Sequence, residues 1–478
     1  MNDMKKMNGM KEMKKTLLAV MCVFCLISIS FVVWQWIGPG KSSLEPVVLT
    51  IWHNRSETRH AVSEAAEEFN RTVGKEKGIV LEVTSIGTSR VTHEKLEMVA
   101  NGDPGAPEPP DIVITYPKTA ILLARKDMLA DIGSYFSEEE LSAYVPRFLE
   151  EGRILNDGLY VFPTNKSTEA LIVNRTLFDR FAAGTGVKFE DLATVEGLLR
   201  LAEEYYRWTD DQTPYVPDDG KMFFMIDNPY NFAQIAFRQL GEGFFSQEGK
   251  MNLSSPVFRK VWNVFYEPSV KGYEAIYDGY GTDLSKTGDL VCWTSSTAGI
   301  TFLPTSMTYS DNTSEPVTFD LLPYPVFEGG KKIAVQRAAG FCLLKSVPEK
   351  ERAAILFLKW LTAPEQNLNY LEGSGYLPVT REAIQKIVTD RPKDISPLRD
   401  RFLDIASLMD KEYDFFIPPL RDDYELLERR YESLLRKSSL SSRENFRKLK
   451  KTQGTDEAFN AAVNGVFVDF RKKLEADF

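Results

Sequence analysis

The chain is predicted to be an α/β protein with a parallel sheet covered by helices on both faces. The first reason is an alternation of short apolar runs and amphipathic stretches through the first part of the chain. The second is a length of 478 residues, 43% hydrophobic and 26% charged, enough for two or three domains with buried cores. After Gly38-Pro39-Gly40 and a short linker, Val47 to Trp52 reads as a buried strand. The stretch 57–73 then sets Val62, Ala65, Ala66, Phe69 and Val73 on one helical face. A second strand is predicted at Ile79 to Thr84, and a third at Asp111 to Thr115 behind the loop GDPGAPEPP. Pro117 opens the next helix, where its missing N–H is tolerated. Strand, helix, strand, helix, strand implies parallel pairing. Further on, 192–207 carries Val195, Leu198, Leu199, Ala202, Tyr205 and Tyr206 at helical spacing, and 229–240 and Glu349 to Leu361 follow the same rule. The tail from 381 is helical and mixed in charge. Its basic part, 436–451, reads as a solvated face plus loop, with contact to anionic lipid as the alternative. No repeat of solenoid length occurs.

Thr16 to Ile37 is an almost uncharged apolar run behind Lys5, Lys6, Lys11, Lys14 and Lys15. As a helix, about 21 residues span roughly 32 Å, enough to cross a bilayer core with the lysines inside. An uncleaved anchor and a removed signal both fit. Lipidation at Cys22 or Cys25 is a third reading, disfavoured because Met21 and Phe24 stand where such signals want a small residue. The C-x-x-C spacing of that pair lies inside the apolar run and points to neither metal nor redox chemistry. In the rest of the chain only Cys292 and Cys342 remain, expected as two buried free thiols, with a disulfide as the alternative.

Acidic residues outnumber basic ones by 68 to 58, which disfavours a nucleic-acid partner. Only His53, His60 and His93 are present, and no H-E-x-x-H, G-x-S-x-G, Walker loop or G-x-G-x-x-G occurs. Metal, hydrolase and nucleotide signatures therefore fail together, and no cofactor is expected. Pairs of carboxylates exist in any acidic protein and do not by themselves argue for glycoside cleavage.

Between Val291 and Thr380 the sequence runs VCWTSSTAGITFLP, FDLLPYPVFEGGKK, RAAGFCLLKSVPEKERAAILFLKWLTAPEQ and GSGYLPVT. In that order these phrases resemble the C-terminal half of the family 1 extracellular solute-binding proteins, which serve bacterial ABC importers of sugars and glycerol 3-phosphate. The resemblance covers roughly residues 47 to 435. It implies a two-lobe periplasmic-binding-protein fold of type II, maltose-binding-protein-like, with a hinge, preceded here by one N-terminal hydrophobic helix. With the charge pattern it divides the chain into a cytoplasmic stub (1–15), an anchor or signal (16–37), a linker (38–45), a first lobe (46–168 and 320–375) and a second lobe (169–319 and 376–478) ending in the helical tail. STEALIVNRTLFDRF resembles the strand that carries the chain into the second lobe, Phe319 to Val326 is expected to return to the first, and GYLPVTREA resembles a third crossing. Three crossings make a hinge. The resemblance implies a monomeric carrier and not an enzyme, on the outer face of the cytoplasmic membrane. It would close on a carbohydrate, whether a sugar, an oligosaccharide or a glycerol-3-phosphate-like ligand, and deliver it to permease subunits with a separate ATPase. A membrane-tethered sensor reporting to a signalling partner is the alternative, and a glycoside hydrolase ranks third.

Candidate ligand contacts follow from the same comparison. LTIWHNRSE resembles the corner where the first strand opens into the cleft, which nominates Trp52, His53 and Arg55, with Asn54 between them; core packing is the rival reading for Trp52. Loops at the C-terminal ends of parallel strands converge on a crevice, which adds Tyr116. Ser167 and Thr168 match a polar pair before the crossing strand. Ser295 and Ser296 match a Ser-x-Ala-Gly element at the start of a predicted helix, where they also serve as caps. Gly340 matches a glycine at which backbone approaches ligand, or alternatively sits beside a packed neighbour. Tyr376 and Arg421 fall where the glycerol-phosphate branch places an aromatic and an arginine; a surface salt bridge to Asp422 or Asp423 is the other reading for Arg421. The central stretch departs from the family pattern, and Tyr230 and Phe232 are the candidate stacking platform there.

Overall fold

A computed structural model describes residues 45–53, 59–421 and 423–476. The N-terminal apolar run with Cys22 and Cys25, and the Asn54–Arg55 pair, lie outside the described residues. Among the described residues no helix is long and apolar enough to cross a membrane.

The predicted alternation is present from the first strand. β1 (Val47–His53), α1 (Arg59–Arg71), β2 (Ile79–Ser85), α2 (Ser89–Asn101), β3 (Ile112–Thr115) and α3 (Pro117–Arg125) follow in order. The three strands pair in parallel, with β1 central, in the register Val47↔Ile79 and Ile51↔Ile112. In α1 the spacing of Val62, Ala66 and Phe69 turns all three inward, each nearly without exposed surface. The Thr88 hydroxyl accepts from the Val91 N–H and starts α2, and Gly102 ends it with a left-handed φ of 67° that an L side chain resists. Pro117 occupies the first turn of α3, behind Tyr116 in extended conformation.

β4 (Ser167–Asn174) then begins a second sheet and is buried along its whole length. α4 (Val195–Asp210), β5 (Phe224–Ile226), α5 (Pro229–Gln239), α6 (Pro256–Lys271) and β6 (Cys292–Ser296) follow. β6 pairs antiparallel with β4 and parallel with β5. β7 (Phe319–Leu322) was expected to lead back to the first lobe, yet it pairs antiparallel with β4 from Phe319↔Asn174 to Leu322↔Leu171 and extends the second sheet. β8 (Ile333–Arg337) also joins β4, through Gln336↔Thr168 and Arg337↔Ser167. Only after the small, buried pair Ala338-Ala339 does β9 (Gly340–Leu343) enter the first sheet, antiparallel to β3. The return therefore falls near 338–340 and not near 320. A β strand of four residues satisfies its ladder on either sheet, so its composition carries no address.

α7 (Pro348–Leu361) covers the first sheet through Ala354, Phe357 and Leu358. α8 (Pro397–Glu412), β10 (Asp414–Phe416), α9 (Tyr424–Leu449), α10 (Thr455–Val463) and α11 (Val466–Glu475) complete the second lobe. The tail is core-forming: Tyr431, Phe470 and Leu474 belong to the same cluster as Phe258 and Trp262 of α6. Cys292 and Cys342 are free and buried, one in each sheet. Burial pushes both thiols up.

Candidate functional site

A cavity of about 370 Å³ is lined from both lobes and from the segments that join them. The first lobe supplies Tyr116, which sits where β3 ends and α3 begins. Ser167 and Glu169 come from β4. Successive strand residues face opposite sides, so 167 and 169 share the cavity face while Thr168 points away. The Thr168 hydroxyl donates instead to the Val335 carbonyl at 2.8 Å. Asp227 and Asn228 follow the C-terminal end of β5, and Ser295 and Ser296 end β6, the parallel strand beside it. Strand ends converging on one crevice place these polar groups together. Ser296 caps as expected, accepting from Ala298 N–H at 3.3 Å, but the turn it starts is a 3-10 segment, Thr297–Phe302, and not an α-helix. Tyr376 stands beside Leu377, which bridges to Lys166 at the start of β4. Gly375 before it packs so closely on the Thr297 carbonyl that a Cβ would overlap it, while the Thr297 hydroxyl donates to the Gly375 carbonyl at 2.8 Å.

Charge in the cavity is arranged in pairs with one exception. Arg337, the last residue of β8, donates from Nη1 to Glu169 Oε1 at 2.7 Å, and Asn231 Nδ2 donates to the same oxygen at 2.9 Å. Burial would lower the basicity of Arg337, but the facing Glu169 carboxylate outweighs it and holds the guanidinium charged. Lys286 pairs with Asp283 at 2.8 Å. Asp227 is different: Oδ1 accepts from Gly281 N–H at 2.7 Å, whereas its buried Oδ2 has no partner among the described residues. Burial pushes its carboxyl up to about 7, against the lowering influence of the nearby Ser295 hydroxyl and the Gly281 N–H. Two aromatics stand at the rim with much surface exposed, Tyr280 at 69% and Phe302 at 43%. A smaller pocket of about 70 Å³ shares Tyr116 and Arg337 with the main cavity and is bordered by Lys118, Tyr424 and Glu428. The assembly offers hydroxyls, carboxylates, one paired guanidinium and aromatic faces, a set suited to gripping a polyhydroxyl solute.

Of the residues nominated from sequence, Tyr116, Ser167, Ser295, Ser296 and Tyr376 come together in this cavity. The others are placed elsewhere. Trp52 is in the core with Leu96 and Val113, and His53 is buried at the end of β1. Tyr230 and Phe232 lie inside the second lobe, Tyr230 edge-on to Phe244 and Tyr424 and Phe232 against Phe327, so neither offers a face to the cleft. A Cβ at Gly340 would stand 2.6 Å from the Phe162 carbonyl, so strand packing accounts for that glycine. Arg421 forms a two-pronged bond to Asp423, each contact 2.7 Å, and also donates to the Gly249 carbonyl. Arg55 falls outside the described residues. Sequence reasoning passed over Glu169, Asp227, Asn228, Arg337, Tyr280 and Phe302. The alternation of β4 was the available signal for Glu169, and the position just after a parallel strand was the signal for Asp227. Among the described residues no cluster of His, Cys, Asp and Glu could hold a metal.

Residues 64–395 match the model of a family described as bacterial extracellular solute-binding protein. No curated protein matches the sequence. Among solved structures, the substrate-binding protein Lmo0181 of Listeria monocytogenes in complex with cycloalternan is 18% identical at a TM-score of 0.64, covering 90% of this chain and 99% of that one. UgpB of Mycobacterium tuberculosis in complex with glycerophosphocholine gives 15% and 0.63, over 90% and 97%. A solute-binding protein of Agrobacterium radiobacter K84 in complex with ribitol gives 18% and 0.62, over 90% and 99%. At these identities the likeness shows the fold, a two-lobe, maltose-binding-protein-like architecture.

Proposed function

Because the chain belongs to the bacterial extracellular solute-binding protein family, and so is an extracytoplasmic carrier and not a catalyst, we propose that it captures a carbohydrate or polyol by lobe closure for an ABC importer. The observation that carries this reading is the 370 Å³ interlobe cavity, where Ser167, Glu169, Asp227, Ser295 and Ser296 surround a space flanked by Tyr116 and Tyr376. Hydroxyl-rich solutes present donors to carboxylates and apolar ring faces to aromatics, and this lining supplies both. The three relatives just described were solved with a cyclic oligosaccharide, a glycerophosphodiester and a pentitol, which supports a polyhydroxyl ligand. With Arg337 and Lys286 already paired to carboxylates, hydroxyls suit the described lining better than a phosphate monoester does. The proposed lobes are 47–166 with 340–389 and 167–337 with 397–476, joined by three short crossings; 379–386 packs on the first lobe, where the Arg381 N–H donates to the Ala143 carbonyl and Ile384 packs against the first-lobe core. The N-terminal run Thr16 to Ile37 would hold the chain at the outer membrane face or be removed on export. Delivery requires permease subunits and an ATPase encoded elsewhere.

A thermal-shift screen of the full chain against mono- and oligosaccharides, polyols and glycerol phosphates tests the reading, since a ligand of the native state raises the melting temperature by mass action. At least one hydroxyl-rich compound should do so. Asp227→Ala should then weaken that compound by roughly tenfold to a hundredfold, the loss of a charge-assisted hydrogen bond. A panel that leaves the melting temperature unmoved throughout refutes the substrate class.

A further inference from the structure

The cleft is bridged by side chains at a place distinct from the three chain crossings. Lys118 stands in the first turn of α3, on the first lobe, and its Nζ lies 2.8 Å from Glu425 and 2.7 Å from Glu428. Both glutamates belong to the first turns of α9, which packs on α6 in the second lobe. The three side chains are largely sheltered, with 23%, 18% and 15% of their surface exposed. Lys118 also rides over the Tyr424 ring at 5.3 Å. Glu428 has a further partner: its Oε1 accepts from Asn228 Nδ2 at 3.0 Å, and Asn228 lines the main cavity beside Asp227. Just before α9, Leu420 packs against the first-lobe core.

We propose that Lys118, Glu425 and Glu428 form an interlobe clasp that sets how far the lobes stay closed before ligand arrives, and that Asn228 couples the clasp to the cavity. When the lobes part, Lys118 returns to water and the two carboxylates are left facing each other. When they meet, one ammonium answers both. An interaction that differs between two states shifts their populations by that difference. Burial opposes charge on both sides of the clasp, yet Lys118 holds its proton more tightly than usual and Glu428 is held below the usual carboxylate range, because each faces the other. Removing Lys118 therefore costs closure twice, by losing the attraction and by leaving Glu425 and Glu428 to repel.

The test is an interlobe distance measured by electron–electron spin resonance on the full, ligand-free chain. Spin labels go on Lys126→Cys in the first lobe and Gln247→Cys in the second, both exposed positions. Cys22 and Cys25 are replaced by Ser, while Cys292 and Cys342 have no exposed surface and stay unlabelled. In the parent a short distance should dominate. In Lys118→Ala the longer-distance population should grow by about fivefold, the worth of a sheltered surface ion pair, and Glu428→Gln should move it less. The exchange Lys118→Glu with Glu428→Lys should restore the short distance. Melting curves confirm that each variant is folded; if Glu428→Gln is not, the Lys118 variants decide alone. A distance distribution in Lys118→Ala identical to the parent's, or an exchanged pair that stays open, overturns the clasp. Neither result depends on which solute the cavity takes.

Discussion

Glu274 has no exposed surface and bridges through its backbone to Phe224 of β5, and its carboxyl oxygens are buried. Burial pushes it well above its ordinary value. The consequence for stability has a definite sign. Above pH 4.5 the unfolded chain releases this proton while the folded chain keeps it, so the folded state loses stability as pH rises. Glu274→Gln removes that loss. Its melting temperature should exceed the parent's at pH 8, and the gap should close as pH falls toward 4.5; a gap that stays constant with pH would mean that Glu274 titrates alike in both states. Single residues also show how sequence reasoning reaches its limit. Ser167 and Thr168 are adjacent hydroxyls that a motif treats alike, yet strand alternation sends one to the cavity and the other to the Val335 carbonyl. Tyr230 reads equally well as core or stacking platform, because an aromatic on a helix has the same spacing in both roles, and only the packing of Phe244, Tyr424 and Tyr431 around it decides.

At the scale of elements, the first crossing is pinned by a buried ion pair. Lys166 Nζ lies 2.5 Å from Glu151 Oε2, both side chains about 5% exposed, and Gln336 Nε2 donates to the same oxygen at 2.8 Å from the second crossing. Replacing only the cation leaves a buried carboxylate with one amide for company. Lys166→Met should cost about 3 kcal/mol in a denaturant titration. The double change Lys166→Met with Glu151→Leu should recover most of it, since a matched apolar pair has no charge to desolvate. Equal losses in the single and double variants would show that packing, not charge, matters at this position. Elements also divide into those the sequence announces and those it hides. α1, α4 and α7 were legible because a helix repeats its apolar period over several turns. β7 and β8 were assigned to the wrong side of the return, since short strands repeat nothing and their partner, β4, is more than 140 residues away by the register Phe319↔Asn174. Beyond 436–451, the part of the tail read as a solvated face, the last helix joins the core on α6, where Phe467 and Phe470 meet Trp262, a pairing that charge content cannot reveal.

For the whole molecule, the fold turns these local facts into a mechanical property. The proposed lobes keep largely separate cores, and the chain passes between them three times, near 166, near 338 and between 389 and 397. On the lobe closure proposed above, rotation about so few peptides disturbs little packing, so a single solute suffices to shift the balance between open and closed forms. Tyr116 stands on one side of the cavity and Asp227, Ser295 and Ser296 on the other, so under the proposed function a solute completes its contacts only when both sides meet. Affinity and closure are then one free energy. X-ray scattering of the full chain should show a smaller radius of gyration at saturation with any compound that raises the melting temperature. At a hundredfold excess over the dissociation constant the stabilisation should be about 2.7 kcal/mol. Asp227→Ala should weaken both responses in proportion, because the carboxylate acts through the ligand. A variant that still contracts fully at the parent's ligand concentrations while its melting shift is lost would separate closure from binding, and the hinge would then answer to something other than the solute.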